Sequence, residues 1–191
     1  MKTIIGTKAD VAKELTAQVA AVLASKPEAN IAISAVDLPA EVLDALAASD
    51  IVFDRATLFQ ACEYCGAAGK GAHAVGTAFS PLTAAKPFAA VHAPDPDADA
   101  EHAADYDAAI QAAGGLDLVI LGLGERGHVA FNEPGAGFGE KTHIAKLAEV
   151  TREAIAADFG TLEQTPEHGI TDRKSTRLNS SHLYISYAVF C

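Results

Sequence analysis

An apolar run that ends in glycines constrains the fold of this chain more than any other feature. Residues 116–121 read LDLVIL, with one aspartate in an otherwise aliphatic segment, and Gly122-Leu123-Gly124 follows at once. A run of this kind is typical of a central strand that helices cover on both faces. Weaker strand candidates lie at residues 2–6, 30–36, 57–59 and 88–92.

Helical patterns separate these strand candidates. One helix is predicted after Thr7, which can cap it. Another is predicted after Asp37, which is expected to cap it, with Pro39 at the first helical position. A third is predicted near residues 99–113. Apolar residues at helical spacing mark their buried sides: Val11, Leu15, Val19 and Val22; Val42, Leu43 and Leu46; Tyr106 and Ile110. Strands that alternate with helices favour an α/β fold, a Rossmann-like doubly wound parallel sheet.

Two stretches lack a clear hydrophobic period. Residues 61–81 are rich in Gly and Ala, and they predict a loop with one short helix. The acidic run at residues 95–107 is interpreted as a turn followed by a solvated helix face.

Composition excludes several classes of partner. A net charge of -11 repels phosphate backbones, so we expect no nucleic-acid partner. The longest apolar runs fall short of the roughly 18 residues of a membrane span, and the N-terminus lacks the pattern of a signal peptide. Three unevenly spaced cysteines make no disulfide framework, which indicates a cytoplasmic protein.

The last twenty residues, 172–191, differ from the rest of the chain. They read DRKSTRLNSSHLYISYAVFC, nearly without alanine, and they resemble the translation of a short-read sequencing adaptor. We therefore expect residues 1–171 to be one domain whose natural C-terminal part is missing. The alternative is a genuine C-terminal strand, because LYISYAVF alternates well enough to pair.

The segment after the clearest strand carries the candidate chemistry. It reads GLGERGHVAFNEP at residues 122–134, and ligands of open α/β sheets bind beyond the carboxyl ends of strands. Its G-x-G-x-x-G pattern alone is weak support for nicotinamide binding, because Pro134 and the glycines after it cannot form the helix that such a site needs. His128 and Glu133 suit general acid–base work, although a contact that merely stabilises the loop explains the same spacing.

The stretch GLDLVILGLGERGHVAFNEPG resembles the signature of the glucosamine-6-phosphate and galactosamine-6-phosphate deaminase (isomerase) family. Lactonases of 6-phosphogluconate share that fold but continue differently after Gly-His. The resemblance implies ring opening assisted by His128, which Glu133 orients, and then proton transfer between C2 and C1. It also implies sugar-phosphate contacts near Gly122, Gly124, Gly127 and Asn132, with no metal and no organic cofactor. The oligomeric state is left open, with a homo-oligomer among the options.

The chain departs from the family pattern at four places. Cys62 stands where the family has the aspartate that transfers the proton, and a thiol is mostly protonated at neutral pH. Arg126 stands where an acidic partner of His128 is expected, and a cation disfavours the imidazolium. Residues 35–40 replace the Gly/Thr-rich phosphate loop, and Asp37 there repels phosphate. A family arginine that helps to hold phosphate falls by spacing on Ala157.

Three functional hypotheses and one further alternative follow. The first is an amino-sugar-phosphate deaminase that converts glucosamine 6-phosphate to fructose 6-phosphate and ammonia, impaired by the loss of its base and phosphate loop. The second is a non-catalytic homologue that binds a sugar phosphate or partners an active subunit, and a lactonase-like hydrolase is a further alternative. The third is a redox or zinc site at Cys62 and Cys65, with His73 as an additional ligand.

Overall fold

The centre of the molecule is a five-stranded sheet in which every pairing is parallel. Its strand order is β4-β2-β1-β5-β8, and a second, antiparallel sheet has the order β3-β7-β6. The computed structural model describes residues 5–66, 74–124, 127–132 and 141–172, and the backbone of 182–187. The parallel sheet confirms the predicted α/β, Rossmann-like fold.

Strands and helices alternate along most of the chain. The strands are β1 Asn30–Ile33, β2 Thr57–Gln60, β3 Cys62–Cys65, β4 Ala90–His92, β5 Leu118–Leu123, β6 His143–Lys146, β7 His168–Thr171 and β8 His182–Tyr187. The helices are α1 Lys8–Ser25, α2 Ala40–Ala48, α3 Ala74–Ala78, α4 Ser80–Ala85, α5 Asp105–Ala112 and α6 Glu149–Phe159. In the described ranges, the helices are too short or too polar to cross a bilayer.

Alternation along the central strands divides the core into two layers. Ile31 and Ile33 of β1 face the larger cluster, which contains the apolar sides of α1, α2 and α4. Ala32, between them, faces a smaller cluster that includes Tyr106 and Ile110 of α5. Helices therefore cover both faces of the sheet, as the aliphatic sequence of β5 predicts.

The predicted start of α1 is confirmed in detail. The Thr7 hydroxyl accepts a hydrogen bond from the Asp10 amide at 3.3 Å, and the Asp10 carboxylate accepts one from the Thr7 amide at 2.8 Å. This capping box satisfies amide groups that the first turn leaves without helical partners. The predicted strand at residues 2–6 has no counterpart at 5–6, and residues 2–4 lie outside the described range.

The interpretation of residues 61–81 as loop with a short helix is partly wrong. The segment contains strand β3, which pairs with β7 so that Cys62 lies opposite Thr171. Helix α3 and the start of α4 follow within it. The strand was not predicted because its sequence, CEYC, lacks an alternation of apolar and polar residues. Its partner strand lies about a hundred residues further along the chain, so the pairing leaves no local pattern.

The interpretation of residues 95–107 as solvated is wrong at one position. Asp107 on α5 is buried, and its carboxylate accepts hydrogen bonds from the Thr142 amide at 2.8 Å and the Thr142 hydroxyl at 3.1 Å. A buried carboxylate needs such partners to offset the loss of water. Asp107 therefore ties α5 to the segment that leads into β6.

The C-terminal segment takes part in the sheet. Strand β8 pairs in parallel with β5, and Leu118 lies opposite His182. Asp172, the first residue of the divergent segment, is buried, and its amide donates to the Ala61 carbonyl at 3.0 Å. The strand matches the alternative given for LYISYAVF, and the foreign origin of residues 172–191 stays a prediction.

We expect Asp107→Ala to lower the free energy of unfolding by about 2–4 kcal/mol, because it removes two hydrogen bonds from a buried site and leaves the Thr142 amide without its acceptor. Urea unfolding followed by circular dichroism measures the change. Asp105→Ala, on the exposed side of the same helix, is the control and should cost less than about 1 kcal/mol. Equal losses in the two variants would contradict a structural role for Asp107.

Candidate functional site

The candidate site lies beyond the carboxyl ends of β1 and β5, which are neighbours in the parallel sheet. The loop after β1 carries Ser34 and Asp37, and the glycine-rich turn after β5 leads to His128. Parallel strands bring their carboxyl ends to the same edge, so two loops about ninety residues apart in sequence meet here.

His128 forms a short polar contact with Asp37. The imidazole Nε2 lies 2.8 Å from the Asp37 Oδ2, and the imidazole is almost fully buried, whereas the Asp37 side chain is 35% exposed. A carboxylate at this distance fixes which ring nitrogen carries the proton. The pair is therefore a carboxylate–imidazole unit capable of acid–base chemistry.

The expectation that Asp37 caps α2 is wrong. The N-cap residue of α2 is Pro39, which makes no side-chain hydrogen bond to the helix. Pro39 was predicted at the first helical position, so the helix begins one residue later than expected. Asp37 instead has a left-handed backbone, with φ of 57°, and its carboxylate points to His128. The tertiary contact with the imidazole replaces the local contact with the helix amides.

The glycines of the motif make room for this pair. A Cβ on Gly122 would lie 2.3 Å from the carbonyl carbon of Asp37, and a Cβ on Gly124 would lie 2.1 Å from the His128 Cε1. Real Cβ atoms do not approach so closely, so both positions require glycine for the protein's own packing. Their predicted contact with a sugar phosphate stays a prediction.

A tight turn connects the glycines to the histidine. The Gly127 amide donates to the Gly124 carbonyl at 2.8 Å, and the Gly124 amide donates to the His128 carbonyl at 2.9 Å. Gly127 has a φ of 78°, which a residue with a side chain rarely adopts. The described part of this segment is thus a turn rather than the opening of a helix, which a dinucleotide fingerprint requires.

Asn132 and Phe131 anchor the motif to β7. The Asn132 amide group donates to the Thr171 hydroxyl at 3.0 Å and to the Asp172 carbonyl at 3.1 Å. The Phe131 ring covers Gly169, where a Cβ would lie 2.3 Å from it. Both motif residues are buried, so they position the loop, and the predicted sugar contact of Asn132 stays a prediction.

Cys62 lies in the interior of the site. Its thiol has no exposed surface and lies 3.8 Å from the Ser34 hydroxyl, which is also fully buried. In this conformation the sulfur is out of reach of a ligand. Sequence reasoning missed Ser34, since a lone serine at the end of a strand carries no signal.

Cys65 occupies a different environment at the other end of β3. Three residue steps along an extended strand place the two cysteine Cα atoms roughly 10 Å apart, beyond the limit of about 7 Å for a disulfide. Burial raises the pKa of the Cys65 thiol to about 11, with smaller contributions from Asp97 and Glu63. The strand conformation thus excludes an internal Cys62–Cys65 disulfide, which contradicts the redox form of that hypothesis.

Glu63, between the two cysteines, holds α3 in place. Its carboxylate accepts hydrogen bonds from the amides of Tyr64, Val75 and Gly76 at 2.9, 3.1 and 2.8 Å. The side chain is buried, and three amide donors offset the cost of burying it. The sequence did not predict this role of Glu63. Two of the amide donors belong to a glycine-rich region that shows no hydrophobic periodicity.

Several predicted site residues lie outside the described part of the chain: Glu133, Arg126 and His73. Among the described residues, no group of three or more His, Cys, Asp or Glu side chains is arranged to hold a metal ion.

Arg152 donates to the carbonyls of Pro166, Leu162 and Thr165, so its guanidinium supports the chain between α6 and β7.

Fold and site together define a class of protein: an α/β protein with an acid–base pair beyond the carboxyl ends of its parallel strands. Comparison with known families narrows this class. The family described as glucosamine-6-phosphate isomerases/6-phosphogluconolactonase matches residues 6–154. The chain belongs to this family.

Curated relatives agree with that assignment. The glucosamine-6-phosphate deaminase of Pseudarthrobacter chlorophenolicus is 35% identical over 191 residues, which cover 95% of this chain and 73% of that protein. The glucosamine-6-phosphate deaminase of Mycolicibacterium smegmatis is 36% identical over 178 residues, or 87% of this chain and 68% of that protein.

Solved structures share the fold. A monomeric glucosamine-6-phosphate deaminase superposes with a TM-score of 0.82 at 22% identity, over 97% of this chain and 81% of that one. The 6-phosphogluconolactonase of Trypanosoma brucei superposes with a TM-score of 0.72 at 15% identity, over 97% and 80% of the two chains. At these identities the superpositions establish the fold alone.

We expect Gly124→Ala to destabilise the protein by about 1–3 kcal/mol, because its methyl group overlaps the His128 ring. In a His128→Ala background the ring is absent, and the same change should cost less than about 0.5 kcal/mol beyond the His128→Ala loss. A double-mutant cycle of urea unfolding measures this coupling. If the two changes were simply additive, the overlap would not be the source of the cost.

The high pKa of Cys65 predicts a distinctive pH dependence. Only the thiolate is alkylated, so the rate of Cys65 modification by iodoacetamide should still rise above pH 9 and reach half of its maximum near about pH 11. Mass spectrometry of the peptide that contains Cys65 follows the rate. Urea-unfolded protein is the control, and there the rate should reach half of its maximum near the ordinary cysteine pKa of about 8.5.

Proposed function

We propose that this protein recognises an amino-sugar phosphate and retains the acid–base group for ring opening, while deamination by the family route is impaired. The observation that carries the proposal is the pair formed by His128 and Asp37 beyond β1 and β5. Family membership makes an amino-sugar phosphate the first ligand class to test, since curated relatives are glucosamine-6-phosphate deaminases.

Ring opening requires two proton movements. The hydroxyl on C1 loses its proton as the carbonyl forms, and the ring oxygen gains one as the C1–O5 bond breaks. A carboxylate–imidazole pair can accept the first proton and supply the second, because either group can hold it in turn. Asp37 thus takes the part of an acidic partner for His128, at a place in the chain where the family pattern does not have one.

The next step lacks its expected base. Moving a proton from C2 to C1 needs a group that touches both carbons, and Cys62 occupies the corresponding position. Its thiol is fully buried beside Ser34, so it does not reach a ligand in this conformation. This observation favours a second candidate as well, a homologue that binds the sugar phosphate without turning it over.

Phosphate binding is also altered. Asp37 stands in the loop before α2, where a helix N-terminus offers amide groups to an anion. The Asp37 carboxylate, which is held beside His128 near these amides, repels a phosphate that approaches them. We therefore expect the protein to bind sugar phosphates more weakly than an intact deaminase does.

The direct test is ammonia release from glucosamine 6-phosphate and galactosamine 6-phosphate. We expect wild-type turnover to be at least about 10²-fold below that of the Mycolicibacterium smegmatis relative assayed in parallel, because the proton-transfer base is missing. Turnover at the level of that relative, abolished by His128→Ala, would show that the protein is an active deaminase without a carboxylate at position 62.

Restoring the base gives the complementary variant. Cys62→Asp should raise ammonia release by about tenfold or more if the fold tolerates the buried carboxylate and its oxygens, one bond further from the backbone than the sulfur, reach the ligand. Cys65→Asp, with the same chemical change three residues away, is the control and should leave turnover unchanged. Thermal unfolding of both variants separates a failure of chemistry from a failure of folding.

A further inference from the structure

We propose that Asp37 is the residue that meets the ligand, and that its carboxylate binds the ammonium group of an amino sugar. The inference rests on the proposed function and adds the specificity of its site. It assigns His128 the position behind Asp37, where the imidazole orients the carboxylate and exchanges the ring-opening protons with the ligand through it, across the Nε2 contact of 2.8 Å.

The first argument is accessibility. The His128 side chain is 9% exposed, its Nδ1 is inaccessible to solvent, and its Nε2 already faces Asp37. The Asp37 side chain is 35% exposed. A ligand that approaches the pair from solvent therefore contacts the carboxylate before the imidazole.

The second argument is preorganisation. Asp37 is held in a left-handed conformation, with φ of 57°, and Gly122 lets its backbone sit against the end of β5. The Leu38 amide donates to the Ala35 carbonyl at 3.3 Å, which closes the turn around it. A side chain that is fixed by its backbone and by a hydrogen bond loses little freedom when it binds a ligand.

The third argument is charge. A carboxylate accepts hydrogen bonds and donates none, so it suits an ammonium group and opposes a phosphate. An amino sugar phosphate carries both groups. The Asp37 carboxylate therefore binds the ammonium group of such a ligand, and the phosphate lies away from the loop that carries Asp37.

The experiment compares two ligands that differ only at C2, glucosamine 6-phosphate and glucose 6-phosphate. Their dissociation constants for the full chain are measured by isothermal titration calorimetry. We expect wild type to prefer the amino sugar by about tenfold or more, since a hydrogen bond between charged groups is worth roughly that factor.

Asp37→Asn is the informative variant. Asparagine tolerates the left-handed backbone and keeps the side-chain shape, so the fold should persist while the negative charge is lost. We expect the preference for the amino sugar to fall to within about threefold. Asp44→Asn, an exposed carboxylate on α2, is the matched control and should keep the wild-type preference.

The outcomes separate the two levels of the proposal. If wild type binds neither sugar phosphate, the proposed function is wrong, and the inference is wrong with it. If wild type binds both ligands equally, or if Asp37→Asn weakens both by the same factor, the inference alone is overturned. In the last case Asp37 serves the structure of the loop and not the choice of ligand.

Discussion

The parallel pairing of β1 with β5 is the constraint on which the rest of the site depends. It places Ile31 opposite Leu118 and carries the register to the carboxyl ends, where the loop with Asp37 faces the turn with His128. A change of register by one residue would turn the two buried faces of these strands over and separate the pair. The site chemistry is therefore fixed by the same aliphatic residues that make the core.

Close backbone approach is the second requirement of this arrangement. Gly122 admits the Asp37 loop and Gly124 admits the His128 ring, so two motif glycines serve the packing of the pair itself. This gives a physical reason for glycine at both positions that does not depend on a ligand. It also explains how Asp37 can partner the histidine from a distant loop: the glycines let the two backbones meet.

Buried carboxylates organise the rest of the molecule. Asp107 binds the backbone and hydroxyl of Thr142, and Glu63 binds three amides at the start of α3. In each case the hydrogen bonds of a buried carboxylate connect two segments whose contact the hydrophobic pattern of the sequence does not predict. A chain with a net charge of -11 thus uses part of its negative charge as internal structure.

The sequence by itself determined the class of fold, the buried sides of α1, α2 and α5, and the position of the motif after a central strand. These features follow from local periodicity and from the family resemblance of residues 115–135, both of which are contained in the sequence. Only the tertiary structure decided the partner of His128, the burial of Cys62 beside Ser34, the strand β3 and the role of Asp107. Each of these depends on contacts between distant segments, and a local pattern cannot encode which of several carboxylates or strands such a contact will select.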